Sequence, residues 1–155
     1  MICLRKVLTF TVKGKPQAKQ RPRRGRGGRF YTPQKTLDYE ENVKASFLAD
    51  TKLKAPIKDA PLIIRCDFYF KVPKSYTKKR KTAIKEHEEL YTKKPDVDNL
   101  IKAILDGLNG VAYEDDNQVV GVTGVKHYAK NKPYTKVWIC TLDKDGYGKI
   151  HKVND

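Results

Sequence analysis

A single α+β domain is what this sequence predicts, on three observations. The 155 residues match one domain in size and can bury roughly two thirds of their unfolded surface, enough for a core without disulfide staples. Segments with a two-residue apolar period are interspersed with segments whose apolar residues recur every three to four positions. No internal repeat or clear linker divides the chain.

The elements follow in order. Over residues 6–12, Leu8, Phe10 and Val12 alternate with Val7, Thr9 and Thr11, the pattern of a strand with one buried face. Residues 14–29 are glycine-rich, basic and free of acid, which predicts a mobile loop. Thr32-Pro33 then supplies an N-cap and a helix-compatible first residue, and Tyr39, Val43 and Phe47 at four-residue spacing predict a helix over about 33–49. Residues 62–72 are rich in β-branched and aromatic side chains and end at Pro73, as a strand would. The charged stretch 75–90 reads as a short exposed helix or lid. Helix 99–108 carries an apolar stripe of Leu100, Ile101, Ile104, Leu105 and Leu108. Segments 118–128 and 134–142 flank Lys130-Asn131-Lys132-Pro133, turn chemistry that predicts an antiparallel hairpin. The domain is assigned to residues 1–142, with a frayed tail over 143–155.

Thirty-three lysines and arginines against 18 acids leave a charge of +15, which favours a polyanionic partner, nucleic acid above membrane. No apolar run approaches the ~20 residues of a spanning helix, and the first ten residues are too short and charged for a secretory signal, so a cytosolic protein is expected. Cys3, Cys66 and Cys140 are widely separated and lack any Cys-x-x-Cys pair, so they are read as reduced thiols. His87, His127 and His151 lack metal-ligand spacing, which argues against a zinc enzyme.

Against this basic background the acids gather at Asp96, Asp98 and the run Glu114, Asp115, Asp116. Carboxylates at a polyanion-binding surface repel the ligand unless a divalent cation neutralises them, so the segment suggests Mg²⁺- or Mn²⁺-assisted phosphodiester chemistry. If residues 96–98 are extended, Asp96 and Asp98 share one face and Val97 turns into the core. Asp98 then caps the helix from Asn99, and Lys102, one turn on, returns its ammonium to the site. Asn109-Gly110 ends the helix and lets the chain bring back the second acidic group. Each residue also has an ordinary use: Asp98 as a cap, Lys102 with Asp106 as a surface pair, Asp115-Asp116 as a turn.

At these residues the chain resembles the RusA family of Holliday-junction resolvases, through KPDVDNLIKAILDGLNG over 94–110 and EDDNQV over 114–119, with KQRPR at 19–23 and Tyr31-Thr32-Pro33 upstream. The resemblance implies a mixed sheet packed by helices and a Mg²⁺-dependent homodimeric endonuclease, with Mn²⁺ as a substitute and no small-molecule cofactor. It would be cytoplasmic, bacterial or phage-encoded, nicking opposed strands of four-way junctions in DNA recombination and repair. By motif position Asp96, Asp98 and Asp116 match the metal-binding catalytic aspartates and Lys102 the essential lysine, with Asp115 a possible helper. Lys15, Lys19, Arg21, Arg23, Arg24, Arg26 and Arg29 would track phosphates, and Phe30 and Tyr31 would be available to stack on unpaired bases. The competing readings are a non-catalytic nucleic-acid-binding module and a metal nuclease acting on forks or flaps.

Overall fold

A computed structural model describes residues 4–142; the expected tail, Cys3 and His151 lie outside them. A four-stranded sheet is built from β1 (Leu4–Lys13), β4 (Leu62–Lys71), β5 (Val119–Ala129) and β6 (Tyr134–Leu142), in the order β1-β6-β4-β5. Two-residue strands β2 (Arg23–Arg24) and β3 (Phe30–Tyr31) form a separate hairpin, and three helices, α1 (Gln34–Thr51), α2 (Lys78–Lys85) and α3 (Val97–Leu108), complete the domain. The fold is α+β, with a mixed sheet.

The expected hairpin between the last two strands does not form. β4 lies between them, parallel to β5 and antiparallel to β6. Burial explains the arrangement: β4 carries Leu62, Ile64, Cys66, Phe68 and Phe70 on one buried face and Asp67 on the other, whereas β5 has Val120 and Val122 exposed and tolerates an edge. Residues 130–133 need span only two strand spacings, about 10 Å, within the reach of four residues. The crossover from β4 through α2 and α3 makes β5 parallel to it.

Helices α1 and α3 cover the face bearing Phe10, Val12, Ile64, Phe68, Val137 and Ile139. α1 buries Tyr39, Val43 and Phe47 as their spacing predicts, but its N-cap is Pro33, so the hydroxyl expected from Thr32 does not cap it. α1 and α3 meet at Gly107, where an added Cβ would stand 2.8 Å from Val43 Cβ. α3 rests on β5 at Gly124, where a Cβ would meet Ile101 at 2.6 Å.

The opposite face of the sheet holds a polar network. Asp67, 1% exposed, accepts from Arg65 Nε at 2.9 Å and lies 2.7 Å from His127 Nε2. Beside it Tyr69 stacks between His127 and Tyr134, with centroids 4.7 and 4.4 Å apart. Cys66 is buried and Cys140 half-buried, both free thiols, and burial pushes the Cys66 pKa up to about 12.

Candidate active site

α3 begins two residues earlier than its sequence suggests, and the geometry of the acids changes with it. Asp96 is the N-cap, in extended conformation, and its carboxylate makes no capping hydrogen bond. Asp98 lies inside the first turn, its Oδ1 accepting from the Asn99 N–H at 2.9 Å. The extended Asp96–Asp98 pair is therefore replaced by two carboxylates at the positive end of a helix, which favours negative charge. Val97 does not enter the core; it is 36% exposed and lies over Gly124.

From Asp98 the helix sets Lys102 and Asp106 in a row, four residues apart on one face, with about 12 Å of rise from first to last. Lys102 and Asp106 do not pair. Asp106 is taken by Lys19, whose Nζ lies 2.9 Å from it and 2.5 Å from Glu40. Partial burial alone would lower the Lys19 pKa, but hydrogen bonds and charge from Glu40 and Asp106 outweigh it and hold the ammonium above its ordinary value. Lys102 is left exposed, with no hydrogen-bond or ion-pair partner among the described residues. Lys19, expected as a phosphate contact, instead ties α1 to α3.

The second acidic group is a shaped turn. Asp115 caps the 3-10 turn at Asp116–Gln118, its Oδ1 accepting from the Asn117 N–H at 3.0 Å. Gln118 Oε1 accepts from the Glu114 and Asp115 N–H groups at 2.9 and 3.1 Å, while its Nε2 donates to the carbonyls of Ile57 and Ala60. Glu114 pairs with Lys58 at 3.2 Å. Asp115 is thus occupied in the turn. Burial first, then the charges of Asp106 and Asp115, raise the Asp116 pKa against a hydrogen bond from Tyr113.

Asp116 stands with Asp106 and Tyr113 toward the C-terminal end of α3, and Asp96 and Asp98 stand at its N-terminal end. Among the described residues no three His, Cys, Asp or Glu side chains converge on one point, so the three expected ligands do not make a ready ligand sphere.

The basic segment adjoins this helix. Lys19 N–H donates to the Asn99 carbonyl at 2.9 Å and Gln20 N–H to Thr36 Oγ1 at 3.3 Å, anchoring the chain before it leaves the body. What was expected as an irregular loop then forms the β2/β3 hairpin, with Arg23 opposite Tyr31 and Arg24 opposite Phe30. Gly27 and Gly28, at φ +86° and +80°, make a turn that other residues would strain. Phe30 is 72% and Tyr31 51% exposed, so neither belongs to the core. Lys15, Arg21, Arg23, Arg24, Arg26 and Arg29 are exposed along it.

The model of the family described as Endodeoxyribonuclease RusA matches residues 13–140. The chain belongs to that family. The match takes in the basic arm, both acidic groups and strands β4, β5 and most of β6, so the RusA family assignment rests on most of the chain. A Bacillus subtilis (strain 168) protein, uncharacterised YqaN, is 34% identical over 137 residues, covering 85% of this chain and 94% of its own length.

Family membership implies endodeoxyribonuclease activity, and the donor chemistry fits a hard divalent cation. Mg²⁺ uses one or two carboxylates and fills its remaining positions with water and phosphate, so a split set of aspartates suits it. Two positioning residues escaped the sequence reading. Lys126 Nζ donates to the carbonyls of Lys93 and Pro95 at 2.7 and 3.1 Å, fixing the approach to Asp96. Gln118 fixes the other acidic group. Lys126 carries no local signal, because it acts on backbone more than thirty residues away, whereas Gln118 is the N3 residue of a capping box opened by Asp115. Among the described residues no helix is long and apolar enough to cross a membrane.

Proposed function

We propose that this protein is a divalent-metal-dependent, structure-selective endonuclease that resolves four-way DNA junctions by paired nicks, serving recombination and repair as a homodimer. The observation that carries the reading is the exposed face of α3. A lysine without a partner stands between carboxylates at both helix ends, beside the root of a basic arm. Surface ion pairing would have joined Lys102 to Asp106; Lys19 takes that acid instead and leaves the ammonium free for a phosphate.

Asp96, Asp98 and Asp116 would hold Mg²⁺, or Mn²⁺ in its place. The cation, when bound, supplies positive charge to the phosphate and acidifies the attacking water. Lys102 balances charge that develops on the phosphoryl oxygens, and the arm binds flanking phosphates while Phe30 and Tyr31 meet unpaired bases.

Among the described residues no three acids, histidines or cysteines are grouped to hold a metal ion, which favours a second reading, a binding module in which the acids are structural. End-labelled four-way junction, fork and linear duplex, each incubated with Mg²⁺ or EDTA, separate the two. The nuclease cuts the junction in Mg²⁺ alone; DNA that is bound but never cut, with or without Mg²⁺, would decide for the binder.

A further inference from the structure

A cavity of about 390 Å³ lies at the end of the sheet where β4 and β5 finish, away from the acidic turn. Its volume falls in the range of sites that hold small ligands. The walls are the rings of Phe70, Tyr76, Tyr91 and Tyr128. Phe70 and Tyr91 stack at 4.2 Å, and Tyr91 meets Tyr128 edge-on at 5.0 Å. Tyr76 is held by Arg80, 3.7 Å from its centroid, and by a hydrogen bond from Lys93 Nζ to its hydroxyl. The lysines at the cavity are Lys15, Lys71 and Lys93, and no carboxylate lines it.

Aromatic walls whose only charged neighbours in the lining are lysines suit a flat ring joined to an anionic group. The cavity is also built into the acidic segment. Tyr91 OH donates to the Lys94 carbonyl at 3.0 Å, and Lys126 fixes the carbonyls of Lys93 and Pro95. Lys93 is three residues from Asp96, a reach of at most about 11 Å, or some three nucleotides of stacked strand. Lys15 begins the basic segment on the other side.

We propose that this cavity receives one unstacked nucleotide of the DNA strand that passes the acidic site, its base among Tyr76, Tyr91 and Tyr128 and its phosphate at Lys15, Lys71 or Lys93. The proposal rests on the reading that the protein acts on branched DNA. A nucleotide beside a branch point is already partly unstacked and enters at low cost, so the cavity discriminates branched DNA from continuous duplex.

Wild-type protein in EDTA, irradiated with a four-way junction carrying 5-iododeoxyuridine at successive positions from the branch, tests this directly. The expected crosslink is to Tyr76, Tyr91 or Tyr128, from a base within about three nucleotides of the phosphate cut in Mg²⁺. Crosslinks confined to Phe30 and Tyr31, or none in the cavity, would overturn it. Tyr76→Leu is expected to weaken junction binding about tenfold with duplex binding unchanged, and Tyr76→Phe to restore it; equal losses on both DNAs would count against the proposal. Cavity crosslinks from a protein that cuts nothing would leave the cavity standing and remove the nuclease reading. Junction cutting without cavity crosslinks would do the reverse.

Discussion

The proposed chemistry draws on side chains that the fold leaves uncommitted. Asp96 leaves its capping role unused and Lys102 has no acidic partner among the described residues, whereas Asp115 and Lys19 are engaged in the fold. Asp98→Asn is accordingly expected to reduce junction cleavage by roughly a hundredfold or more while binding holds or tightens, since it removes charge that repels phosphate. Lys102→Ala should lower the single-turnover rate far more than affinity; a loss of affinity alone would make it an ordinary phosphate contact. Asp67 provides a test of stability. Burial pushes its pKa up, but Arg65 and His127 outweigh this and hold it below the ordinary carboxylate value. A depressed folded pKa gives stability that is present above the unfolded value of about 3.9 and lost as pH falls through the folded one. Asp67→Asn should thus cost about 1–3 kcal/mol at pH 7 and little near pH 2, as read from urea melts at both pH values.

Helix α3 depends on two glycines as much as on its apolar stripe. At Gly107 a methyl group would meet the Cβ of Val43 and the Glu40 carbonyl, neither of which can swing away. Gly107→Ala should cost about 1–3 kcal/mol, lowering Tm by roughly 3–10 °C, and a melting curve unchanged from wild type would show that the helices adjust freely. The β2/β3 arm belongs to the same scale, with its base fixed at Lys19 and Gln20 beside α3. Neutralising Arg21, Arg23, Arg24 and Arg26 should flatten the dependence of log affinity on log salt by about 0.9 per lost phosphate contact on duplex arms. An unaltered slope would mean that the arm does not touch DNA.

For the whole molecule, paired nicks need two acidic sites, and one chain supplies one α3. The expected solution state is a two-fold dimer with both basic arms toward one DNA face. β4 cannot offer an edge, being paired on both sides. The edge strands are β1 and β5, and β5, with exposed Val120 and Val122, and the sheet face around Tyr69 and Trp138 are candidate surfaces for the interface. Sedimentation equilibrium at micromolar concentration should give twice the chain mass; a monomer that still makes paired cuts on a junction would rule the dimer out.

Local pattern determined much of this protein. The periods of β1, β4 and α1 and the apolar stripe of α3 all follow from residues close in the chain, where side-chain spacing directly sets which face is buried. Tertiary structure decided the rest. The insertion of β4 between β5 and β6 came from competition among strands for the doubly covered position, which a turn sequence at 130–133 cannot report. The earlier start of α3 placed Asp98 in a helix instead of a strand. Lys19, Gln118 and Lys126 acquired their partners only when distant segments met, because a hydrogen bond between remote residues leaves no periodicity in the sequence.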